Sequence, residues 1–149
     1  VMDRTPAHRH LWLFATGTGL GPFLSMLKTD DPWQRADRVI LCHSVRTAAD
    51  LAYAEEIRAL LRRHGNRLTF VPLVTREVVT GALHQRIPAA LESGDIERLA
   101  GLSLRPEGAH VMLCGNSDMI EAVRQLLESR GLRRHRRREP GHITVEKYH

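Results

Sequence analysis

The chain has 149 residues, 42% of them hydrophobic and 26% charged, with a formal net charge of +5. That is enough apolar material for one folded domain, and it excludes a disordered chain. No apolar stretch approaches the roughly 20 residues of a membrane span, no secretory leader precedes the first apolar run, and Cys42 and Cys114 make no disulfide framework, so a reducing cytoplasm is the expected compartment.

In chain order, the polar stretch 1–6 runs straight into an apolar strand at 11–15, as in the downstream part of a longer protein. Next comes Thr16-Gly17-Thr18-Gly19-Leu20-Gly21-Pro22, and then Phe23, Leu24, Met26 and Leu27 at helical spacing. Strand, glycine turn and helix form an arrangement that binds phosphate. Glycine lets the backbone approach an anion, and the N–H groups of the new helix point at it. Pro22 suits the first turn of that helix. The spacing is neither G-x-G-x-x-G nor a Walker loop.

A second strand is predicted at 38–43 and a helix at 48–63, with Leu51, Ile57, Leu60 and Leu61 on one face and Gly65-Asn66 at its end. A strand at 68–74 follows, then an interrupted helical region at 83–100, a strand at 110–114 and a helix at 118–130 closed by Gly131. The run Arg133-Arg134-His135-Arg136-Arg137-Arg138 precedes a last strand at 142–146. No aromatic residue interleaves with those arginines, so the run reads as a docking surface for an acidic protein, or simply as a solvated loop, and not as a nucleic-acid platform. The nine histidines show no metal-ligand spacing.

Alternating strands and helices predict an α/β fold: a doubly wound, five-stranded parallel sheet with helices on both faces. If the strand order is 3-2-1-4-5, the glycine turn after the first strand and Cys114-Gly115-Asn116 after the fourth are neighbours at the switch point, where ligands bind. Past the second strand, a carboxylate would select NAD and an arginine the 2′-phosphate of NADP. No acid lies between Arg38 and Ala49, whereas Arg46, Arg76 and Arg86 all follow the second and third strands. Guanidinium groups hold a phosphate dianion in a fork geometry and do not deprotonate.

These residues, together with Ala49-Asp50-Leu51-Ala52-Tyr53, Arg86-Ile87-Pro88, Val111-Met112-Leu113-Cys114-Gly115-Asn116 and the ending from Arg137 to Tyr148, carry a family resemblance. Over nearly its whole length the chain resembles the NADP-binding domain of bacterial ferredoxin/flavodoxin–NADP reductases. The resemblance implies one NADP-binding domain over 1–149, with the FAD-binding barrel of such reductases absent from this chain. It implies that Thr16, Gly17, Thr18 and Gly19 hold the pyrophosphate of NADP(H), and that Arg46, Arg76 and Arg86 hold its 2′-phosphate. Cys114 and Gly115 would line the nicotinamide position, with Asn116 in the same cofactor-binding turn. Glu146 would stand beside hydride transfer, and Tyr148 would stack on the flavin of FAD. His149 takes the place of a residue that usually stacks on the FAD adenine. The implied reaction is hydride transfer between NADPH and FAD, followed by electron transfer to ferredoxin or flavodoxin, by a monomer. The NAD(P)H domain of a flavin or oxygenase reductase, and a nucleotide-binding fragment without turnover, are the alternatives.

Overall fold

The computed structural model describes residues 9–147, with side chains as far as Glu146. Five apolar runs form strands: β1 (His10–Thr16), β2 (Arg38–Val45), β3 (Leu68–Val74), β4 (Ala109–Gly115) and β5 (Ile143–Lys147). All adjacent pairs are parallel, in the order β3-β2-β1-β4-β5. The expected doubly wound order is therefore the observed one. Strands covered on both faces read as continuous apolar runs, and β1 and β4 are buried along almost their whole lengths.

Two apolar layers sandwich the sheet. On one face Trp12, Phe14, Ile40, Leu73, Val111 and Leu113 meet α4 (Ile87–Ser93), α5 (Asp95–Ala100) and α6 (Ser117–Ser129). On the other, Leu11, Leu13, Val39, Leu41 and Met112 meet α1 (Leu20–Leu27), α2 (Asp31–Arg35) and α3 (Ala54–His64). Cys42 belongs to the first layer and Cys114 to the second. Both thiols are buried, and burial pushes that of Cys42 far above its ordinary range.

One local expectation needs correction, and one short helix was not expected. The helix expected from residue 48 begins only at Ala54. Thr47 and Asp50 close a capping box around a single 3-10 turn, Leu51 then goes extended, and Tyr53 takes a left-handed conformation (φ 64°) that starts the helix afresh. Leu51 is thus not on the buried helical face; Ile57 and Leu60 are. The short α2 carries no apolar period. It is held by burial of Pro32 and Trp33, and the Trp33 indole N–H donates to the Leu27 carbonyl at 2.9 Å. No helix among the described residues is long and apolar enough to cross a membrane.

The basic run lies along the edge strand, not at the cleft described below. Arg134 bridges Ile143 at the start of β5. Reciprocal hydrogen bonds between Arg136 and Glu139 place Arg137 and Arg138 at the tip of a tight turn.

Candidate dinucleotide cleft

Strand order reverses between β1 and β4, and the two glycine turns leave their carboxyl ends side by side. Close approach is what the glycines provide. A Cβ at Gly115 (φ 142°) would lie 2.0 Å from Thr16 Oγ1, and one at Gly19 would lie 2.5 Å from the Cys114 carbonyl oxygen. In the space so gained, the Thr16 hydroxyl oxygen accepts the Asn116 N–H at 2.9 Å. Asn116 then caps α6, its Oδ1 accepting the Met119 N–H at 2.8 Å.

Gly17 is left-handed (φ 52°), and nothing lies within 4 Å of where its side chain would begin. It opens a 3-10 turn, Gly17–Gly19, that leads into α1. Beneath it the buried His43 ring of β2 places Nε2 at 2.8 Å from the Gly17 carbonyl oxygen. Burial lowers the pKa of His43, with the Gly17 contact acting in the opposite direction.

A cleft of about 1090 Å³ runs over these turns. Thr16, Gly17, Thr18, Gly115 and Asn116 line one part of it, and Arg46, Arg76 and Arg86 line another. The fold brings the three arginines together by extending the ladder past β2 and β3. The Thr75 N–H donates to the Val45 carbonyl at 3.0 Å, and the Arg76 N–H to the Arg46 carbonyl at 2.9 Å. Glu77 ties the same loops through the Ala48 N–H at 2.6 Å. Arg86 stands at the N-cap of α4, before Pro88. All three arginines are exposed, and none has an ion-pair partner among the described residues.

Not every predicted site residue lies on this cleft. Gly19 and Cys114 are buried against each other and are not part of its lining. The missing side chain of Gly19 makes room for β4, and Cys114 faces the core. Glu146 also lies off the lining, level with Cys114 in the β4–β5 register and on the same face. Tyr148 and His149 lie outside the described residues.

Other lining residues had no role predicted for them: Asp50, Tyr53, Thr75 and Asp118. Asp50 is an acid after β2, but its carboxylate accepts from the Thr47 hydroxyl at 3.0 Å and from the Thr47 N–H at 3.3 Å. It is engaged in its own turn. Tyr53 is 47% exposed, and its hydroxyl stands 3.8 Å from where a Cβ on Gly21 would be. The sequence signal for this residue is weak, because a left-handed tyrosine follows no periodicity.

A five-stranded parallel sheet with a glycine-lined, arginine-rich cleft at its switch point defines a dinucleotide-binding α/β domain. The family model "Oxidoreductase NAD-binding domain" matches residues 13–125, and the chain belongs to that family. It is 43% identical over 149 residues to the flavodoxin/ferredoxin–NADP reductase of Escherichia coli (strain K12), covering 99% of this chain and 60% of that protein. The corresponding reductase of Buchnera aphidicola subsp. Baizongia pistaciae is 36% identical with the same coverage. A crystal structure of a ferredoxin NADP+ reductase from Neisseria gonorrhoeae with bound FAD and NADP superposes with a TM-score of 0.91 at 35% identity, over 99% of this chain and 59% of that one. The chain thus spans about 60% of the length of the curated relatives it matches.

Proposed function

We propose that the cleft binds NADP(H), and that the chain is the nicotinamide-nucleotide half of a ferredoxin/flavodoxin–NADP reductase. The observation that carries this reading is the convergence of Arg46, Arg76 and Arg86, without ion-pair partners among the described residues, on the cleft that holds the open Gly17 turn. The residues fit the ligand. Three guanidinium groups suit a 2′-phosphate dianion. The space over Gly17 and the capped start of α6 suit a pyrophosphate. The one acid on the β2 side, Asp50, is held by Thr47 and does not compete for a ribose hydroxyl.

When bound, the nicotinamide supplies or accepts a hydride at a flavin. The chain's own residues bind and orient. Thr16, Gly17 and Thr18 seat the pyrophosphate, and the arginines fix the adenosine end. Gly115 and Asn116, at the end of β4, line the part of the cleft left for the nicotinamide end. Glu146, level with Cys114 in the β4–β5 register, would stand beside the site of hydride transfer. FAD is held by other parts of a full-length reductase, with Tyr148 and His149 contributing. Electrons then pass to ferredoxin or flavodoxin, for which the tip at Arg137 and Arg138 is the docking surface. Two buried cysteines on opposite faces of the sheet, too far apart to pair with each other, fit a reducing cytoplasm.

Calorimetric titration of Arg46→Ala tests the reading. A charge-assisted hydrogen bond contributes about 1.5–3 kcal/mol, so NADP+ binding should weaken by roughly ten- to a hundredfold while NAD+ binding hardly changes. Equal losses for both dinucleotides would contradict it.

A further inference from the structure

His43 has no role in the reading above, yet its buried side chain reaches the glycine turn. It is 1% exposed, paired in register with Ala15 on one side and Pro72 on the other. Its Nε2 lies 2.8 Å from the Gly17 carbonyl oxygen, and its Nδ1 is buried with no hydrogen-bond partner among the described residues. A carbonyl only accepts, so the proton of the contact sits on Nε2. A second proton on Nδ1 would be a buried donor with no acceptor, so the ring is the neutral Nε2–H tautomer.

The geometry has a directional consequence. In a trans peptide the C=O of one residue and the N–H of the next point in opposite directions. Drawing the Gly17 carbonyl down onto His43 turns the Thr18 N–H upward, toward the cleft that Thr18 lines. The space where a Gly17 side chain would begin is open, so no packing on that side of the residue restrains it. A left-handed glycine is free to flip, and the anchor beneath it selects one orientation.

We propose that His43 is a positioning residue for the phosphate-binding turn, fixing the Gly17–Thr18 peptide with its N–H edge toward the dinucleotide. This rests on the proposal that the cleft binds NADP(H) with its pyrophosphate at that turn. Placing the anchor on a strand is physically sensible. β2 is an interior strand, hydrogen-bonded to a neighbour on each side, whereas the turn is glycine-rich and exposed at Gly17 and Thr18.

The test uses two ligands that divide the cleft. NADP+ spans the turn and the arginines; adenosine 2′-monophosphate engages the arginines and lacks the pyrophosphate. His43→Phe removes the donor, and His43→Gln keeps a neutral N–H donor. In His43→Phe, NADP+ binding should weaken about three- to tenfold, the range expected for one net hydrogen bond. Binding of adenosine 2′-monophosphate should stay within about twofold, and His43→Gln should restore most of the loss. Equal weakening of both ligands, or no change in either, overturns the proposal. If the unmodified chain binds adenosine 2′-monophosphate but not NADP+, the placement of the pyrophosphate falls and this proposal with it. If it binds neither, the nucleotide reading itself fails. Nitrogen NMR of the unmodified chain gives a check that needs no variant: His43 should be the neutral Nε2–H tautomer at neutral pH, and a charged or Nδ1–H ring would overturn the assignment.

Discussion

Single atoms decide how close β1 and β4 can come. Gly115 sits at φ 142° with Thr16 Oγ1 2.0 Å from the place of a Cβ, and the Thr16 backbone nitrogen at 2.9 Å. Gly115→Ala therefore meets a steric clash and a strained backbone together. Gly81, at φ 85° with nothing within 4 Å, meets only the strain. We expect Gly81→Ala to cost about 1–2 kcal/mol and Gly115→Ala at least about 2 kcal/mol more. Urea denaturation of the two variants checks this, and equal costs would show that the turns are looser than described. At this scale the sequence was informative where chemistry follows an apolar run. Arg46, Arg76 and Arg86 could be placed because each comes soon after a strand, and the parallel order brings those ends together. Gly19 has a second reason to be glycine that the sequence does not show: its missing side chain makes room for the Cys114 carbonyl. Nothing in one chain's sequence distinguishes a glycine needed for a ligand from one needed for a neighbouring strand.

The elements show the same division. Strand positions were legible because buried parallel strands are apolar throughout, whereas the start of α3 was not. The capping box at Thr47–Asp50 looks in sequence like the start of a helix continuing to His64, and the break at Tyr53 depends on a left-handed residue that no propensity foretells. Asp50 and Tyr53 escaped assignment to the site for that reason. The start of α6 is better determined, because Asn116 caps it. Asn116→Ala should lower stability by about 1 kcal/mol, through loss of the acceptor for the Met119 N–H. A denaturation midpoint unchanged from the unmodified chain would mean that the hydrogen bond from Asn116 N–H to Thr16 holds the helix start by itself.

Across the whole molecule, protonation and ligand selection follow from what the fold buries. His10, His43, His64 and His142 all have pKa values lowered from 6.5, with burial the largest cause in each. A histidine whose folded pKa is lowered takes up its proton more readily when unfolded. Its contribution is fully present above about pH 6.5 and is lost as the pH falls through the lower folded value. Stability should be flat between about pH 7 and 8 and decline on acidification below about pH 6.5. Asp95 and Glu55, also lowered, add to the loss at lower pH, with the same sign. Thermal melts across pH 5 to 8 check this, and a rise in stability toward pH 5 would contradict it. The central claim concerns the three arginines that line the cleft. It is tested most directly by titrating the unmodified chain with NADP+ and NAD+ side by side. The two differ only in the 2′-phosphate, and contacts worth about 1.5–3 kcal/mol each predict tighter binding of NADP+ by at least about a hundredfold. Equal affinities would show that Arg46, Arg76 and Arg86 do not read that phosphate.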